Sequence, residues 1–427
     1  MIKTVITTIL LGSFAFGSDL TLTRAYKSAL QYEAKIKSLD LQQKVKKIEI
    51  DMAESRLYPQ VDASVNYQRR RYEYRGIDMD QNYRSYSLNI NQMVYHPEVI
   101  SQIESSELSY DLSGLNLTQQ KQLLAFNIVD VYFQILKAQN SIKVAKAYLE
   151  TSFARHEQIE KKFELRLANK MDYLESKVLS KQAVIKLQQE RSTLRVLKLK
   201  LKSLTGIDTD IEKLPYVDFE NIDLNVLKLA DTTSLNESLE LERAEKSFEL
   251  SKKDIEISEF GHYPKIDLSA SFSNLSSKEI INEYKDDRRV MLRLSIPLYK
   301  GGYTSAEIAK NRLLMDSAVE QMEDIKRTER VKYDELKVQY DLALDNIKLY
   351  SQSKLSAKAY LDSVNFGYTK GLKSLLDVED AKKKFTETKY QLIESIYNLI
   401  RAYTGILNIT GKMDMEHMKQ LDNLLGI

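Results

Sequence analysis

His156 and Glu157 open a stretch that runs through Gln158 and Ile159 to Glu160 and begins like a zinc-binding helix. A helix of that kind needs a second imidazole four residues after the first, so that two nitrogens meet one ion from one face. Glu160 stands there instead, and the stretch reads as a solvated helix face. Phosphate chemistry fares no better. Five residues separate Gly405 from Gly411-Lys412 where a phosphate-cradling loop has four, and Met413 stands where a hydroxyl must hold magnesium. No Ser is flanked by Gly at the spacing of a nucleophile elbow. The four histidines, His96, His156, His262 and His417, are scattered singly. Cysteine is absent, which removes disulfides, thiolate metal sites, thiol nucleophiles and an acylated N-terminal cysteine. With 63 basic against 61 acidic residues, the charge balance gives no reason to propose a nucleic-acid partner. No bond chemistry, no metal and no cofactor are expected.

What the chain can build is set by its composition. Only 13 Gly and 5 Pro punctuate 427 residues, with 26 Tyr and no Trp. So few breakers disfavour a many-looped α/β enzyme and favour long uninterrupted helices, although length alone suggests about two or three domains. The first residues differ from the rest: Lys3, then Val5, Ile6, Ile9, Leu10, Leu11, Phe14 and Phe16, then Gly17 and Ser18 before Asp19. A basic start, a short apolar core and a small-residue exit describe a secretory signal peptide over 1–17, cut near Ala15-Phe16-Gly17. The mature protein is therefore expected to be exported. No later run reaches the ~20 apolar residues of a membrane-spanning helix, so β-strands must make any bilayer crossing.

From Leu20 to about Leu57 the apolar period is helical, until Tyr58-Pro59 forces an extended step. From Gln60 to Tyr95 the period is two, first as Val61, Ala63, Val65 and Tyr67, then as Tyr86, Leu88, Ile90 and Val94, with Gly76 in a hairpin loop. After His96-Pro97 a helix runs to about Phe163, roughly 100 Å long at 1.5 Å per residue. Its Phe126, Val129, Phe133 and Leu136 have the spacing of a coiled-coil seam. A break over 166–170 precedes a helix with Leu194, Leu197, Leu201 and Leu204 at the same spacing, ended by Leu204-Thr205-Gly206 with Gly as left-handed cap.

The pattern then comes again. His262-Tyr263-Pro264-Lys265-Ile266-Asp267 answers Leu57-Tyr58-Pro59-Gln60-Val61-Asp62. Ile266, Leu268, Ala270 and Phe272 alternate with Asp267, Ser269, Ser271 and Ser273, and Val290, Leu292, Leu294 and Ile296 form the return strand before Pro297. A helix from about Tyr303 to Phe366 carries a seam of Tyr333, Leu336, Tyr340, Ala343, Ile347 and Tyr350. After a break over 367–371, the final helix is expected to end at Tyr403-Thr404-Gly405, as the counterpart of 204–206. The expected segments are a signal peptide at 1–17, a helix at 18–57, a hairpin at 58–97, a long helix pair at 98–204 with its tip near 163–172, and a linker at 205–230. Then follow a helix at 231–261, a hairpin at 262–302, a helix pair at 303–405 with its tip near 366–374, and a C-terminal segment at 406–427.

Each strand, at about 10 to 14 residues with one apolar face, has the length and alternation of a transmembrane strand. A single hairpin taken alone reads more readily as an ordinary amphipathic hairpin on a soluble body. Four strands cannot enclose a barrel, and open edges in lipid leave backbone groups unpaired, so several chains must share one barrel. A cyclic trimer supplies twelve strands. Tyr67, Tyr72, Tyr74, Tyr83, Tyr86 and Tyr95 crowd the first hairpin, either as an interfacial girdle or as packing side chains. Arg69, Arg70 and Arg71 cannot all face lipid. The strand is expected to end or bulge there, with the three arginines meeting anionic lipopolysaccharide or lying in a solvated loop.

The order of these elements, duplicated about 200 residues apart, resembles the TolC family of outer-membrane efflux and secretion channels over nearly the whole mature chain. The resemblance implies an α+β membrane protein with duplicated helix, β-hairpin, long-helix and helix halves. Three copies would form a trimeric twelve-stranded outer-membrane β-barrel continued by a periplasmic α-helical, coiled-coil barrel. Under it, 18–57 and 231–261 are periplasmic helices, 58–97 and 262–302 barrel hairpins, and 205–230 and 406–427 equatorial segments. It implies the exit duct of a tripartite efflux pump or type I secretion system in the outer membrane of a Gram-negative bacterium, extending into the periplasm. The implied partners are a homotrimer, a periplasmic adaptor (membrane fusion) protein, an inner-membrane transporter and outer-membrane lipid, with no nucleic acid. Lipoprotein members carry an N-terminal cysteine, which this chain lacks. A soluble periplasmic coiled-coil structural or adaptor protein is the alternative from another class.

The same resemblance assigns a gate. Gly371 to Asp380 is similar to the family's Gly-x-x-x-x-x-Asp-x-x-Asp stretch, whose acidic residues line the closed entrance. Asp377 and Asp380, three apart on one helix face, are then the pore-gate carboxylates, stacked as two rings by threefold symmetry. Asp172, Tyr368 and Lys373 align with residues that hold neighbouring helices closed. Lys373 stands in place of an arginine, and Arg166 in place of the first tip's glycine, so a point charge replaces a bidentate fork.

Overall fold

Pro59 and Pro264 decide where helix gives way to sheet. In the computed structural model the preceding Tyr58 (ψ 156°) and Tyr263 (ψ 153°) are both extended, as a following proline requires. The structure describes residues 20–208, 214, 215, 217, 219, 222, 224–229, 238–277 and 286–426. The expected signal peptide at 1–17 and parts of the 205–230 and 231–261 segments lie outside the described residues. The first half runs α1 (Leu22–Tyr32), α2 (Ala34–Glu54), β1 (Gln60–Tyr74), β2 (Ile77–Tyr95), α3 (Pro97–Glu164) and α4 (Lys170–Thr205). The second runs α5 (Leu239–Glu259), β3 (Lys265–Ser277), β4 (Asp286–Ser295), α6 (Tyr303–Thr369), α7 (Leu375–Ile409) and α8 (Met415–Leu424). Several landmarks recur at one offset. Pro59 and Pro264, Glu164 and Thr369, and Gly206 and Gly411 are each 205 residues apart.

That offset corrects one expectation. Gly206 (φ 71°) ends α4 in the left-handed conformation, but its counterpart is Gly411 (φ 72°), not Gly405. Tyr403-Thr404-Gly405 lies inside α7, where a Cβ on Gly405 would come within 3.0 Å of the Leu336 side chain. Close helix packing, not a turn, surrounds that glycine. A second correction concerns the first helix, which is broken at Glu33 (ψ 113°) into α1 and α2. A third concerns Arg69, Arg70 and Arg71. β1 neither ends nor bulges there, and its pairing with β2 is continuous from Gln60↔Asn91 to Tyr74↔Ile77. Asp80, across from Arg71, takes hydrogen bonds from Arg69 (Nε to Oδ1, 3.0 Å) and Arg71 (Nε to Oδ2, 3.2 Å), which lets a cationic run stay in the ladder. The register irregularity falls instead between Met93 and Tyr95, where β2 meets β3.

The described residues divide into two compact units. Those within Met1–Ala34, Lys121–Leu235 and Val331–Ile427 form one, and those within Lys35–Gln120 and Asn236–Arg330 the other. In the first, the seam residues Val129, Phe133 and Leu136 of α3 are fully buried, as are Leu399, Ile400 and Ile406 of α7. Tyr397 of α7 donates to Asp130 Oδ1 (2.7 Å) and Lys137 pairs with Glu394 (2.9 Å), which ties the two helices at their margins. The chain's ends meet here too. Asp422 of α8 accepts from the backbone N–H groups of Leu22 (2.7 Å) and Thr23 (3.0 Å), capping α1 across 400 residues. The second unit holds one antiparallel sheet of order β1-β2-β3-β4, turned at Arg75-Gly76 (φ 53° and 78°), the positive-φ pair that a two-residue hairpin needs.

Removing the remote cap leaves two helix-terminal donors without an acceptor, one of them on a residue with no exposure. Asp422→Ala is expected to destabilise α1 by about 2 to 3 kcal/mol and Asp422→Asn by about 1 kcal/mol. Hydrogen exchange of the α1 amides checks this, and unchanged protection in the Ala variant would refute the assigned cap.

Candidate functional site

The sheet has two chemically opposite faces. Pairing Val61↔Ile90, Ala63↔Leu88 and Val65↔Tyr86 continues through Ile90↔Ala270 and Leu88↔Phe272 to Ala270↔Val290, Leu268↔Leu292 and Ile266↔Leu294. Because strand side chains alternate, these residues form one apolar surface across all four strands. It is open in the chain, with Val290 77% and Leu292 68% exposed. The opposite face carries Asp62, Ser64, Ser87, Asn89, Ser269 and Arg293, joined by contacts such as Ser64 Oγ to Ser87 Oγ at 2.7 Å. Arg69 and Arg71 lie on the apolar face, whereas Arg70 lies on the polar one, with its guanidinium 5.1 Å from the Tyr72 ring centre. An apolar band backed by a polar face is what separates lipid from an aqueous lumen.

The two helix tips are built alike. At the first, Leu167 N–H donates to Lys162 O (2.7 Å) around Arg166 (φ 58°), and Asn169 then caps α4 by accepting from Asp172 N–H (2.7 Å). At the second, Leu372 N–H donates to Gly367 O (2.8 Å) around Gly371 (φ 75°), and Ser374 caps α7. Asp377 completes a capping box there. Its Oδ2 accepts from Ser374 N–H (2.8 Å) and Oγ–H (2.9 Å), and these bonds hold its carboxyl below the usual carboxylate range. One of the two carboxylates expected at the gate is thus partly occupied by the helix cap, while Asp380, one turn on, is exposed.

Of the three residues expected to form the lock, Tyr368 is the one with a cation–π contact across helices among the described residues. Its ring faces the guanidinium of Arg155 on α3 at 4.5 Å, with Lys162 at 5.9 Å. Asp172 and Lys373 form no ion pair within the chain among the described residues, and the stem of Lys373 lies over Gly367. Sequence reasoning missed a group behind this tip. Glu379 of α7 is buried with both oxygens lacking a hydrogen-bond partner, and Lys382 Nζ is 3.6 Å away. Burial, with the nearby Arg155 charge, lowers the Lys382 ammonium pKa. Glu379 follows Val378, an ordinary seam residue, so no sequence signal marks it as interior. Between α4 and α7, over α3, a groove of about 870 Å³ is lined by charges of both signs, including Glu175, Lys186, Glu190, Asp380, Lys383 and Glu387.

These features can be set beside known proteins. The chain matches the family described as outer membrane efflux protein over residues 25–206 and 232–412. It is 24% identical over 328 residues to outer membrane protein TolC of Escherichia coli (strain K12), covering 71% of this chain and 64% of that protein, slightly under two thirds of the relative's length. The proteases secretion protein PrtF of Dickeya chrysanthemi is 24% identical over 245 residues, covering 55% of this chain and 52% of that one. In fold, the Campylobacter jejuni CmeC outer membrane channel superposes at a TM-score of 0.83 with 14% identity, covering 99% of this chain and 97% of that one. One matched stretch falls in each repeat, and together they take in most of the chain. The two-faced hairpins and paired helix tips are therefore those of a member of the outer membrane efflux protein family.

Proposed function

We propose that this protein is the outer-membrane exit duct of a tripartite efflux pump or type I secretion system, fed by an inner-membrane transporter through a periplasmic adaptor. Family membership implies a trimeric channel. The observation that carries the reading is the exposed apolar face on a four-stranded sheet with two unpaired edges, β1 and β4. A soluble periplasmic coiled-coil protein has no use for such a face, which in water is an aggregation surface. Three copies pair every edge and enclose the polar faces around a water-filled lumen. The charged groove between α4 and α7 suits an adaptor helix of complementary charge.

At the entrance, Asp380 forms the freer carboxylate ring and Asp377 a ring that also caps α7. Asp172 and Lys373, which form no ion pair among the described residues, are the charges available to lock neighbouring subunits together. Because Asp377 has a lowered pKa, its capping contribution is fully present above the ordinary carboxylate range and is lost as pH falls through the lowered value.

Three outcomes follow for the protein in bilayers. Leu292→Arg puts a charge on the lipid face at a cost of about 2 to 4 kcal/mol per copy, so heat-sensitive trimer recovered from outer membranes should fall sharply, while Ser269→Arg on the polar face leaves it largely intact. Equal losses would reject the assigned faces. Asp172→Lys and Lys373→Glu should each raise single-channel conductance, and the combined exchange should restore much of the closure. If neither single variant changes conductance, the lock is wrong. Asp380→Asn should weaken cation selectivity, whereas Ser374→Ala should loosen the α7 cap by about 1 kcal/mol without removing charge. Selectivity unaltered in Asp380→Asn would argue against a carboxylate ring there.

A further inference from the structure

The apolar band of the sheet has two unlike margins. Walking from the helix side toward the hairpin turns along the apolar face, β1 presents Val61, Ala63, Val65 and Tyr67 and then Arg69. On β2 the order is Ile90, Leu88 and Tyr86, then Arg84, and on β4 it is Leu294, Leu292 and Val290, then Arg288. Only β3 ends differently, with Asn274 after Phe272. Three of four strands therefore place a guanidinium at the first position beyond the apolar run. At the helix-side margin the same alternation brings Gln92, Pro264 and Ile296, none of them charged.

The arginines are not equivalent. Asp80 engages Arg69 and Arg71 together, so one carboxylate offsets half of that pair's charge and holds both guanidiniums. Arg84 and Arg288 have no carboxylate partner among the described residues. Each instead faces the last aromatic of the band, with Arg84 Cζ 5.9 Å from the Tyr67 ring centre and Arg288 Cζ 5.6 Å from that of Phe272. Asp286, on the same face as Arg288, is occupied by Asn274 Nδ2 at 2.7 Å. A guanidinium over a ring face at the band's edge spends none of its N–H donors on a carboxylate, which leaves them for a phosphate.

We infer that Arg84 and Arg288 form a phosphate-binding margin for the phosphorylated glycolipid of the outer leaflet, whose acyl chains lie on the apolar band beneath. The hairpin turns mark the outer side, because the helices that extend into the periplasm leave from the opposite strand ends. Charge complementarity selects this occupant: an anionic headgroup at one margin only, contiguous with hydrocarbon, matches an asymmetric bilayer and not a free anion. The inference rests on the membrane-embedded reading of the sheet. It also moves the lipopolysaccharide contact from Arg69, Arg70 and Arg71, which are held by Asp80 or face the polar side, to two arginines far apart in sequence.

The test uses the full-length protein reconstituted in phosphatidylethanolamine vesicles, with bisphosphorylated lipid A, dephosphorylated lipid A and inorganic phosphate as probes and native mass spectrometry as readout. Wild type should retain the bisphosphorylated form about tenfold better than the dephosphorylated one. Arg84→Gln with Arg288→Gln should abolish that preference, Arg84→Lys with Arg288→Lys should keep part of it, and Arg70→Gln should keep all of it. Equal retention of both lipids by wild type, or an undiminished preference in the double Gln variant, overturns the inference. So does competition by millimolar inorganic phosphate, which would mark a free-anion site. Insertion into vesicles is scored separately: a wild-type protein that never inserts defeats the membrane reading itself.

Discussion

An apolar sheet face with unpaired edges is the constraint on which the rest of this structure depends. In water the face aggregates, and in lipid the edges of β1 and β4 leave a row of backbone donors and acceptors with no partner, each costing several kcal/mol. Neither solvent suits the isolated chain. The conflict disappears only when edge meets edge in a closed ring, which forces copies of one chain to share a barrel. The polar face then has to line the inside, because alternation fixes it opposite the apolar one. A lumen is thus a consequence of register, and register here is held by continuous pairing from Gln60 to Tyr74 and by the tight Arg75-Gly76 turn.

Duplication solves the same problem at the level of helices. Each half ends its strands in a helix of nearly equal length, α3 with 68 residues and α6 with 67, and returns through α4 or α7 of 36 and 35 residues. Equal lengths let the two helix pairs turn back at equivalent positions. The turns themselves are fixed locally, by a left-handed residue and a side-chain cap, Arg166 and Asn169 in one half and Gly371 and Ser374 in the other. Arg166 tolerates its positive φ at a cost of about 1 kcal/mol that Gly371 does not bear. The first tip adds an aromatic stack to its turn, Phe163 on Tyr173 at 5.0 Å.

Much of this was legible in the sequence because periodicity reports burial directly. The seam positions of α3, α4 and α6 are the buried or half-buried ones, and the Tyr-Pro steps mark the strand starts, since both signals are local. What misled was also local. Thr404-Gly405 looks like Thr205-Gly206, but whether a glycine ends a helix or admits a neighbour depends on Leu336, far away in the chain. Three arginines in a row look incompatible with a strand until register supplies Asp80. Arg155, Glu379 and the break at Glu33 had no sequence signal, because each is set by what a different element places beside it. The residues proposed for the gate stand between these cases. Their motif is readable, yet only the structure reveals that Asp377 is tied to Ser374.

The distinction between occupied and unoccupied charges links the fold to its assembly. Asp422 is consumed by the α1 backbone, Asp80 by two arginines and Asp377 in part by its own cap. Asp172, Lys373, Arg84 and Arg288 have no opposite charge within ion-pair distance among the described residues, and the edges of β1 and β4 have no strand. A chain that folded for itself alone would gain nothing from arranging these groups at its tips and margins. Under the proposed assembly, their positions are the halves of interactions completed by others: the neighbouring subunit along the strand edges and at the helix tips, and the lipid headgroup at the outer margin of the band. The single chain is stable where its charges are matched and incomplete where they are not, and the incomplete places outline its surroundings.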